Sequence, residues 1–166
     1  MRPLSSFTNL EGTLKKGVEQ IKQHHYVLNA GTALGLYRDH DFIPDDTDID
    51  VVILTHKESG LDIRNLEGFR RYQFFDNKGL PVQRCFEDRE NSVIFDIYFY
   101  YIDGDKAISP YTHDLVIPLS LYQNRQEMDT KYGKFYFPSP IEDYLKANYG
   151  DDWMVPKHSF KGIFAT

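Results

Sequence analysis

The spacing of hydrophobic residues near the amino terminus predicts a helix. Between Leu10 and Ile21 apolar residues recur every three or four positions, which places them on one face of a helix. Polar residues that can cap a helix precede this segment, namely Ser5, Ser6, Thr8 and Asn9. Residues 6–26 are therefore predicted to hold a helix start and a helix whose apolar face packs inward.

Farther along the chain, short apolar runs separated by turn-forming residues predict strands. The clearest is the run IDVVILT at residues 49–55, which has the continuous apolar character of a buried strand. Further extended segments are predicted at 26–29, 69–75, 81–86, 92–102, 113–121 and 134–137, and short helices at 32–38 and 140–149. Strands that cluster in this way, without regular alternation with helices, predict an α+β fold.

Length and composition limit the class of protein. A chain of 166 residues fits a single domain, 1–166, that can bury a substantial core. No apolar run approaches the ~18 residues that cross a bilayer, and no secretory signal is evident, so we expect a cytoplasmic protein without an integral membrane segment. The single cysteine, Cys85, excludes an internal disulfide framework. A formal charge of -6 argues against a nucleic-acid partner.

A cluster of acids leads directly into the predicted strand at 49–55. Asp46, Asp48 and Asp50 alternate with other residues, so on an extended backbone their side chains share one face. Carboxylates held this close repel one another unless a hard cation such as Mg²⁺, Mn²⁺ or Ca²⁺ lies between them. The spacing does not fit an EF-hand loop, because Val51 and Lys57 stand where that loop needs glycine and glutamate. A solvated acidic turn remains the alternative.

A second acid, Asp96, interrupts the alternating apolar residues of the segment at 92–102. A carboxylate in such a strand is costly to bury unless it is paired or bound to a metal. The alternative to a metal is an ion pair with Arg84 or Arg38. If the two acidic strands are neighbours, Asp48, Asp50 and Asp96 form a triad able to hold two cations about 4 Å apart, a spacing used for displacement at phosphorus.

A glycine- and threonine-containing turn comes before the acids. The segment NAGTALG at 29–35 carries a predicted strand into a predicted helix, and the backbone amides at such a junction can bind phosphate. Gly31 and Thr32 are therefore candidate phosphate ligands, with an ordinary threonine-capped helix as the alternative. Arg38 can bind a phosphate through two nitrogens, or it can neutralise one of the nearby acids, Asp39, Asp41 or Asp46.

The segment GTALGLYRDHDFIPDDTDIDVVIL at 31–54 closely resembles the signature of the LicD family, which also includes the fukutin-type proteins. The shared pattern is Gly-Thr, a following Gly, Arg, Phe-Ile-Pro and then spaced aspartates that lead into a strand. Asp96, between Phe95 and Ile97, resembles the second-strand aspartate of the family. The segment YLKANYGDDWMVP at 144–156 is similar to its Tyr-Gly-x-x-Trp segment, so the resemblance covers about residues 26–156.

The resemblance implies a nucleotidyltransferase-like fold, in which a mixed sheet is flanked by helices. It implies transfer of a phospho-alcohol, such as phosphocholine or ribitol phosphate, from a CDP-linked donor to the hydroxyl of a sugar or glycolipid. The implied cofactor is Mg²⁺ or Mn²⁺. Carried over to this sequence, the implied metal ligands are Asp48, Asp50 and Asp96, with Asp46 as a possible further one, and the residues near the donor phosphates are Gly31, Thr32 and Arg38.

The expected reaction is attack of an acceptor hydroxyl on the β-phosphorus of the donor, with release of CMP and with Asp96 taking the hydroxyl proton. One alternative is a nucleotidyltransferase that attaches NMP to a small acceptor by attack at the α-phosphorus. The other is a non-catalytic module of the same fold that binds carbohydrate or a protein.

Overall fold

The computed structural model describes residues 9–44, 48–111 and 114–156. Its α-helices are α1 (Leu10–Ile21), α2 (Ala30–Leu34), α3 (Leu119–Gln123) and α4 (Ile141–Tyr149). Its strands are β1 (Tyr26–Leu28), β2 (Asp48–Thr55), β3 (Phe69–Asn77), β4 (Leu80–Asp88), β5 (Ile94–Asp103), β6 (Lys106–Pro110), β7 (Asp114–Pro118), β8 (Gln126–Thr130) and β9 (Gly133–Phe137). A π-helical turn, Gly35–Asp39, continues α2, and a 3-10 turn, Lys57–Ser59, follows β2.

Within the described ranges, a mixed sheet of seven strands forms the centre of the molecule. Five of them lie in the order β1-β2-β5-β4-β3, β6 and β7 extend the sheet from β5, and β8 pairs with β9 in a separate hairpin. The strands β2 and β5 run parallel, whereas the other pairs are antiparallel. The predicted α+β fold with a mixed sheet flanked by helices is therefore confirmed.

The helix α1 packs its apolar face onto β5. Leu14, Val18 and Ile21 of this helix are buried, as the helical spacing predicts. Gly17 allows a close approach, because a Cβ built on it would lie 2.5 Å from a ring carbon of Phe95. Asn9 caps the helix, since its Oδ1 accepts a hydrogen bond of 3.1 Å from the backbone N–H of Gly12.

Several predicted element boundaries are wrong. The first helix is shorter than 6–26, because the chain turns after Ile21 and enters β1 at Tyr26. The segment 113–121 was predicted to be extended, but its end is helical: β7 ends at Pro118 and α3 begins at Leu119. Two short strands were missed, β6 and β8. The sequence of β8, QEMDT, is mostly polar and exposed, so it lacks the apolar alternation that marks a strand.

No helix in the described part of the chain is long and apolar enough to cross a membrane.

Candidate functional site

The parallel pairing of β2 and β5 brings three acids together. Asp48 and Asp50 lie on β2, Asp96 lies on β5, and the register places Asp50 directly beside Asp96. One carboxylate oxygen from each of the three lies within 4.8 Å of the others. The two strands converge because parallel neighbours begin at the same edge of the sheet, and both acidic positions lie near those beginnings. The structure thus joins these three sequence-predicted residues in one cluster.

Asp96 is the most buried member of the cluster. It is only 2% exposed, and its Oδ1 accepts a hydrogen bond of 2.9 Å from Nε2 of Gln83. Burial and the negative charge of Asp48 raise the pKa of the Asp96 carboxyl to about 7, against the opposing hydrogen bonds from Cys85 and Gln83. The ionised form of this carboxyl group is therefore destabilised, and either a bound cation or protonation relieves that cost.

The alternative ion pair between Asp96 and an arginine is wrong. The guanidinium of Arg84 is buried, but it donates to Asp62 at 2.7 Å and to Asp76 at 2.6 Å. The guanidinium of Arg38 donates to Asp39 through two nitrogens, both at 2.8 Å. Of the residues that the structure describes, neither arginine pairs with Asp96, so arginine pairing does not account for the buried acid.

The donor set of the cluster fits a divalent cation. Carboxylate oxygens are hard ligands that suit Mg²⁺ and Mn²⁺, and their separations are short enough for one ion to contact all of them. Oδ1 of Asp48 and Oδ1 of Asp50 are both shielded from solvent, which strengthens their repulsion when no cation balances it. The fourth predicted ligand, Asp46, lies outside the described residues.

Sequence reasoning missed the groups that surround Asp96 on β4. Gln83 lies two residues from Cys85, and Cys85 is the direct neighbour of Asp96 across the β4–β5 pair. Burial and the charge of Asp96 raise the pKa of the Cys85 thiol, so the thiol stays protonated and donates a hydrogen bond to the carboxylate. Alternation along 81–86 places Gln83 and Cys85 on one face, but only the register shows that this face meets Asp96.

The turn between β1 and α2 forms two hydrogen bonds with the backbone of Asp50. The backbone N–H of Asp50 donates to Oγ1 of Thr32 at 2.9 Å, and its carbonyl accepts from the backbone N–H of Asn29 at 3.0 Å. Thr32 is 1% exposed, and in this structure its hydroxyl accepts the hydrogen bond from Asp50. Gly31, which is half-buried, lies in the same turn. The turn that was predicted to bind phosphate therefore adjoins the acidic cluster.

Arg38 lies at the π-helical end of the same helical segment. Besides its two bonds to Asp39, its NH1 group donates to the backbone carbonyl of Trp153 at 3.0 Å. Asp41 is held instead by Lys131, at 2.9 Å, and by the hydroxyl of Tyr132. The pairing with Asp39 is one of the alternatives that the sequence left open, and a phosphate would have to replace it.

Comparison with known proteins gives one family. The sequence model described as "LicD/FKTN/FKRP, nucleotidyltransferase domain" matches residues 23–140. The chain is also similar to curated proteins called ribitol-5-phosphate transferase FKTN, at 27% identity for that of Mus musculus and 25% for those of Macaca fascicularis and Homo sapiens. Each alignment spans 146 residues and covers 78% of this chain and 29% of the relative. The chain thus matches less than a third of the length of these relatives.

Proposed function

This chain belongs to the LicD/FKTN/FKRP family of nucleotidyltransferase domains, and from that premise we propose that it is a metal-dependent transferase. It moves a phospho-alcohol, of the polyol-phosphate or phosphocholine type, from a CDP-linked donor to a hydroxyl of a glycan or glycolipid. The convergence of Asp48, Asp50 and Asp96 carries the proposal. The name of the similar proteins, ribitol-5-phosphate transferase, favours a polyol phosphate.

The acids divide the work of this reaction. Asp48, Asp50 and Asp96 are the residues that would hold Mg²⁺ or Mn²⁺, with Asp46 as a further proposed ligand. When bound, such an ion would supply positive charge to balance that on the phosphate oxygens. Asp96 is also the proposed general base, because it belongs to the same cluster and takes the hydroxyl proton when the acceptor lies within hydrogen-bonding reach.

The bond changes are those of a phosphoryl-type displacement. The acceptor hydroxyl oxygen forms a bond to the β-phosphorus of the donor, the hydroxyl proton passes to Asp96, and the bond from the β-phosphorus to the bridging oxygen breaks. CMP leaves with that oxygen. Gly31 and Thr32 are proposed to border the donor phosphates through the turn beside Asp50. Arg38 is proposed to exchange Asp39 for a phosphate oxygen when the donor binds.

A nucleotidyltransferase that attaches NMP to a small acceptor is the second candidate. The family description favours it, since it names a nucleotidyltransferase domain, and the same three acids serve attack at the α-phosphorus. The two reactions differ in their products, because the first releases CMP and the second releases pyrophosphate.

Product analysis tests both candidates and the non-catalytic alternative. The protein is incubated with Mn²⁺, a glycan acceptor and either CDP-ribitol, CDP-choline or CTP, and CMP and pyrophosphate are quantified. We expect CMP release from a CDP-alcohol that Asp50→Asn abolishes and that Asp105→Asn, a change in an exposed turn, leaves intact. Pyrophosphate from CTP supports the second candidate. Absence of both products together with absence of Mn²⁺ binding supports a binding module.

A further inference from the structure

Tyr144 connects the last helix to the turn beside the acidic cluster. It lies in α4, is 0% exposed, and donates a hydrogen bond of 2.6 Å to Oδ1 of Asn29. The same hydroxyl accepts a hydrogen bond of 2.8 Å from the backbone N–H of Ala30. Asn29 and Ala30 are also buried, so water is a poor substitute for this hydroxyl.

Ala30 adopts a backbone conformation that a residue with a Cβ seldom takes. Its φ is +49°, in the left-handed region that favours glycine. Such a conformation persists only where the surroundings hold it in place. The hydroxyl of Tyr144 bonds the N–H of this residue and the side chain of the residue before it, which fixes the chain on the amino-terminal side of the strained residue.

The strained turn is connected to the acidic cluster by hydrogen bonds. Asn29 uses its side chain to bind Tyr144 and its backbone N–H to bind the carbonyl of Asp50. Two residues after Ala30, the hydroxyl of Thr32 binds the N–H of Asp50. Tyr144 therefore binds the Asn29–Thr32 turn, and that turn in turn binds the main chain of Asp50. Tyr144 and Asp50 are far apart in the sequence.

We propose that Tyr144 is a positioning residue that keeps the Asn29–Thr32 turn in its strained, binding-competent conformation. The inference rests on the proposed function, because it assumes that this turn borders the phosphates of a nucleotide donor. The pairing of β2 with β5, in which Asp50 lies beside Asp96, does not involve the turn, so the acidic cluster keeps its shape without Tyr144. The turn lies outside these strand pairings, so the conformation of Ala30, and with it nucleotide binding, depends on Tyr144 more strongly than metal binding does.

A plain core role for Tyr144 is separable from this one. The ring packs edge-on against Tyr122, with centroids 5.9 Å apart, and phenylalanine preserves that contact. Tyr144→Phe thus removes the hydroxyl alone. A matched control is Tyr101→Phe, which removes another buried tyrosine hydroxyl, bonded to the carbonyl of Pro81 at 2.6 Å and distant in sequence from the turn.

The test measures Mn²⁺ affinity by electron paramagnetic resonance and CDP affinity in saturating Mn²⁺ by calorimetry. For Tyr144→Phe we expect CDP to bind about tenfold more weakly, a loss of about 1.4 kcal/mol, while Mn²⁺ affinity changes less than about twofold. Tyr101→Phe should leave both affinities unchanged. The double variant Tyr144→Phe with Ala30→Gly should regain CDP affinity, because glycine adopts the left-handed conformation without support.

Three results would overturn the positioning role. They are unchanged CDP affinity in Tyr144→Phe, a parallel loss of Mn²⁺ and CDP affinity, and failure of Ala30→Gly to restore CDP binding. Wild-type protein that binds Mn²⁺ and CDP while Tyr144→Phe behaves identically leaves the proposed function intact and removes only this inference. Wild-type protein that binds neither contradicts the proposed function itself and, with it, this inference.

Discussion

Asp50 and Asp96 lie side by side on the parallel strands β2 and β5. On the far side of β5, Cys85 continues the same row across β4, so the row crosses three strands of the sheet. Side chains in adjacent strands that share a row and a face are close neighbours, and two like charges in this position destabilise the pair. The sheet therefore stores an electrostatic repulsion that a divalent cation can relieve.

The first prediction concerns Mn²⁺ binding. Replacing Asp50 or Asp96 by asparagine removes one anionic ligand from the cluster, so we expect Mn²⁺ affinity to fall by at least about tenfold, or ~1.4 kcal/mol. Titration monitored by electron paramagnetic resonance measures the loss. Asp105→Asn, an exposed change of the same type, should bind as the wild type does. Equal affinity in all variants would mean that the cluster is not the binding site.

The second prediction is that the same acids lower stability when no metal is present. Burial and the charge of Asp48 raise the pKa of Asp96, which means that the ionised carboxylate opposes folding at neutral pH. Asp96→Asn should therefore raise Tm in the presence of a chelator, by about 2 to 4 °C for each kcal/mol gained. Added Mn²⁺ should raise Tm of the wild type but not of the variant. A variant that melts below the wild type in chelator would contradict the argument.

Local patterns in the sequence predicted the chemistry of the site but not its assembly. The run of apolar residues after Asp50 and the apolar alternation around Asp96 were enough to predict two strands that carry acids. Their pairing was beyond local reasoning, because the neighbour of a strand is decided by the packing of the whole sheet. The sequence therefore predicted the triad only on the condition that the two strands are neighbours in the sheet.

Partners of polar side chains were the hardest feature to predict. Thr32 and Arg38 were candidate phosphate ligands, with a helix cap and a pairing with a nearby acid as the respective alternatives. In the structure Thr32 bonds the backbone of Asp50 and Arg38 bonds the carboxylate of Asp39. A side chain reveals how many hydrogen bonds it can make but not which group will be nearest. Tyr144 is one of 12 tyrosines and begins the segment 144–156 that resembles the family, but no local pattern there shows that its hydroxyl reaches Asn29 and Ala30.

The third prediction is a pH dependence of stability that comes from Asp88. Burial raises the pKa of Asp88, but the hydrogen bonds from Lys16, Thr13 and the backbone N–H of Glu90 outweigh burial and hold this pKa below its usual value. A lowered folded-state pKa stabilises the fold above the unfolded value of about 3.9, and the gain disappears as the pH falls through the folded value. We expect the free energy of unfolding of Asp88→Asn to be lower than that of the wild type by about 1 to 3 kcal/mol at pH 7.

Denaturant unfolding at several pH values checks this expectation. The difference between wild type and Asp88→Asn should be largest near neutral pH and should shrink as the solution becomes more acidic than the unfolded pKa. The matched control is Glu11→Gln, which breaks an exposed pair with Lys15 at 3.4 Å and should cost no more than about 0.5 kcal/mol. A difference that stays constant down to pH 2 would show that ionisation of Asp88 is not the source.

The fourth prediction concerns the contact between α1 and β5. A Cβ on Gly17 would lie 2.5 Å from a ring carbon of Phe95, which is too close for both groups to stay in place. Gly17→Ala should therefore destabilise the protein by about 1 to 3 kcal/mol despite the better helix propensity of alanine. The smaller side chain of Phe95→Leu should recover part of this loss when both changes are combined. Additive losses in the double variant would contradict a steric cause.

The fifth prediction is that Gln83 orients Asp96 for metal binding. Its Nε2 donates to Oδ1 of Asp96 at 2.9 Å, which restricts rotation of a carboxylate that belongs to the cluster. Groups that hold a metal ligand in this way commonly contribute about 10- to 100-fold to metal affinity. Gln83→Leu keeps a similar volume but cannot donate, so we expect Mn²⁺ to bind more weakly by about that factor.

Two measurements separate this orienting role from a general loss of structure. The manganese spectrum of the bound ion should change in Gln83→Leu, because the freed carboxylate can rotate, while Tm in chelator changes little. The control Gln73→Leu lies on the exposed face of β3 and should leave both the affinity and the spectrum as they are. Wild-type affinity with an unchanged spectrum in Gln83→Leu would show that packing alone, without the hydrogen bond, keeps Asp96 in position.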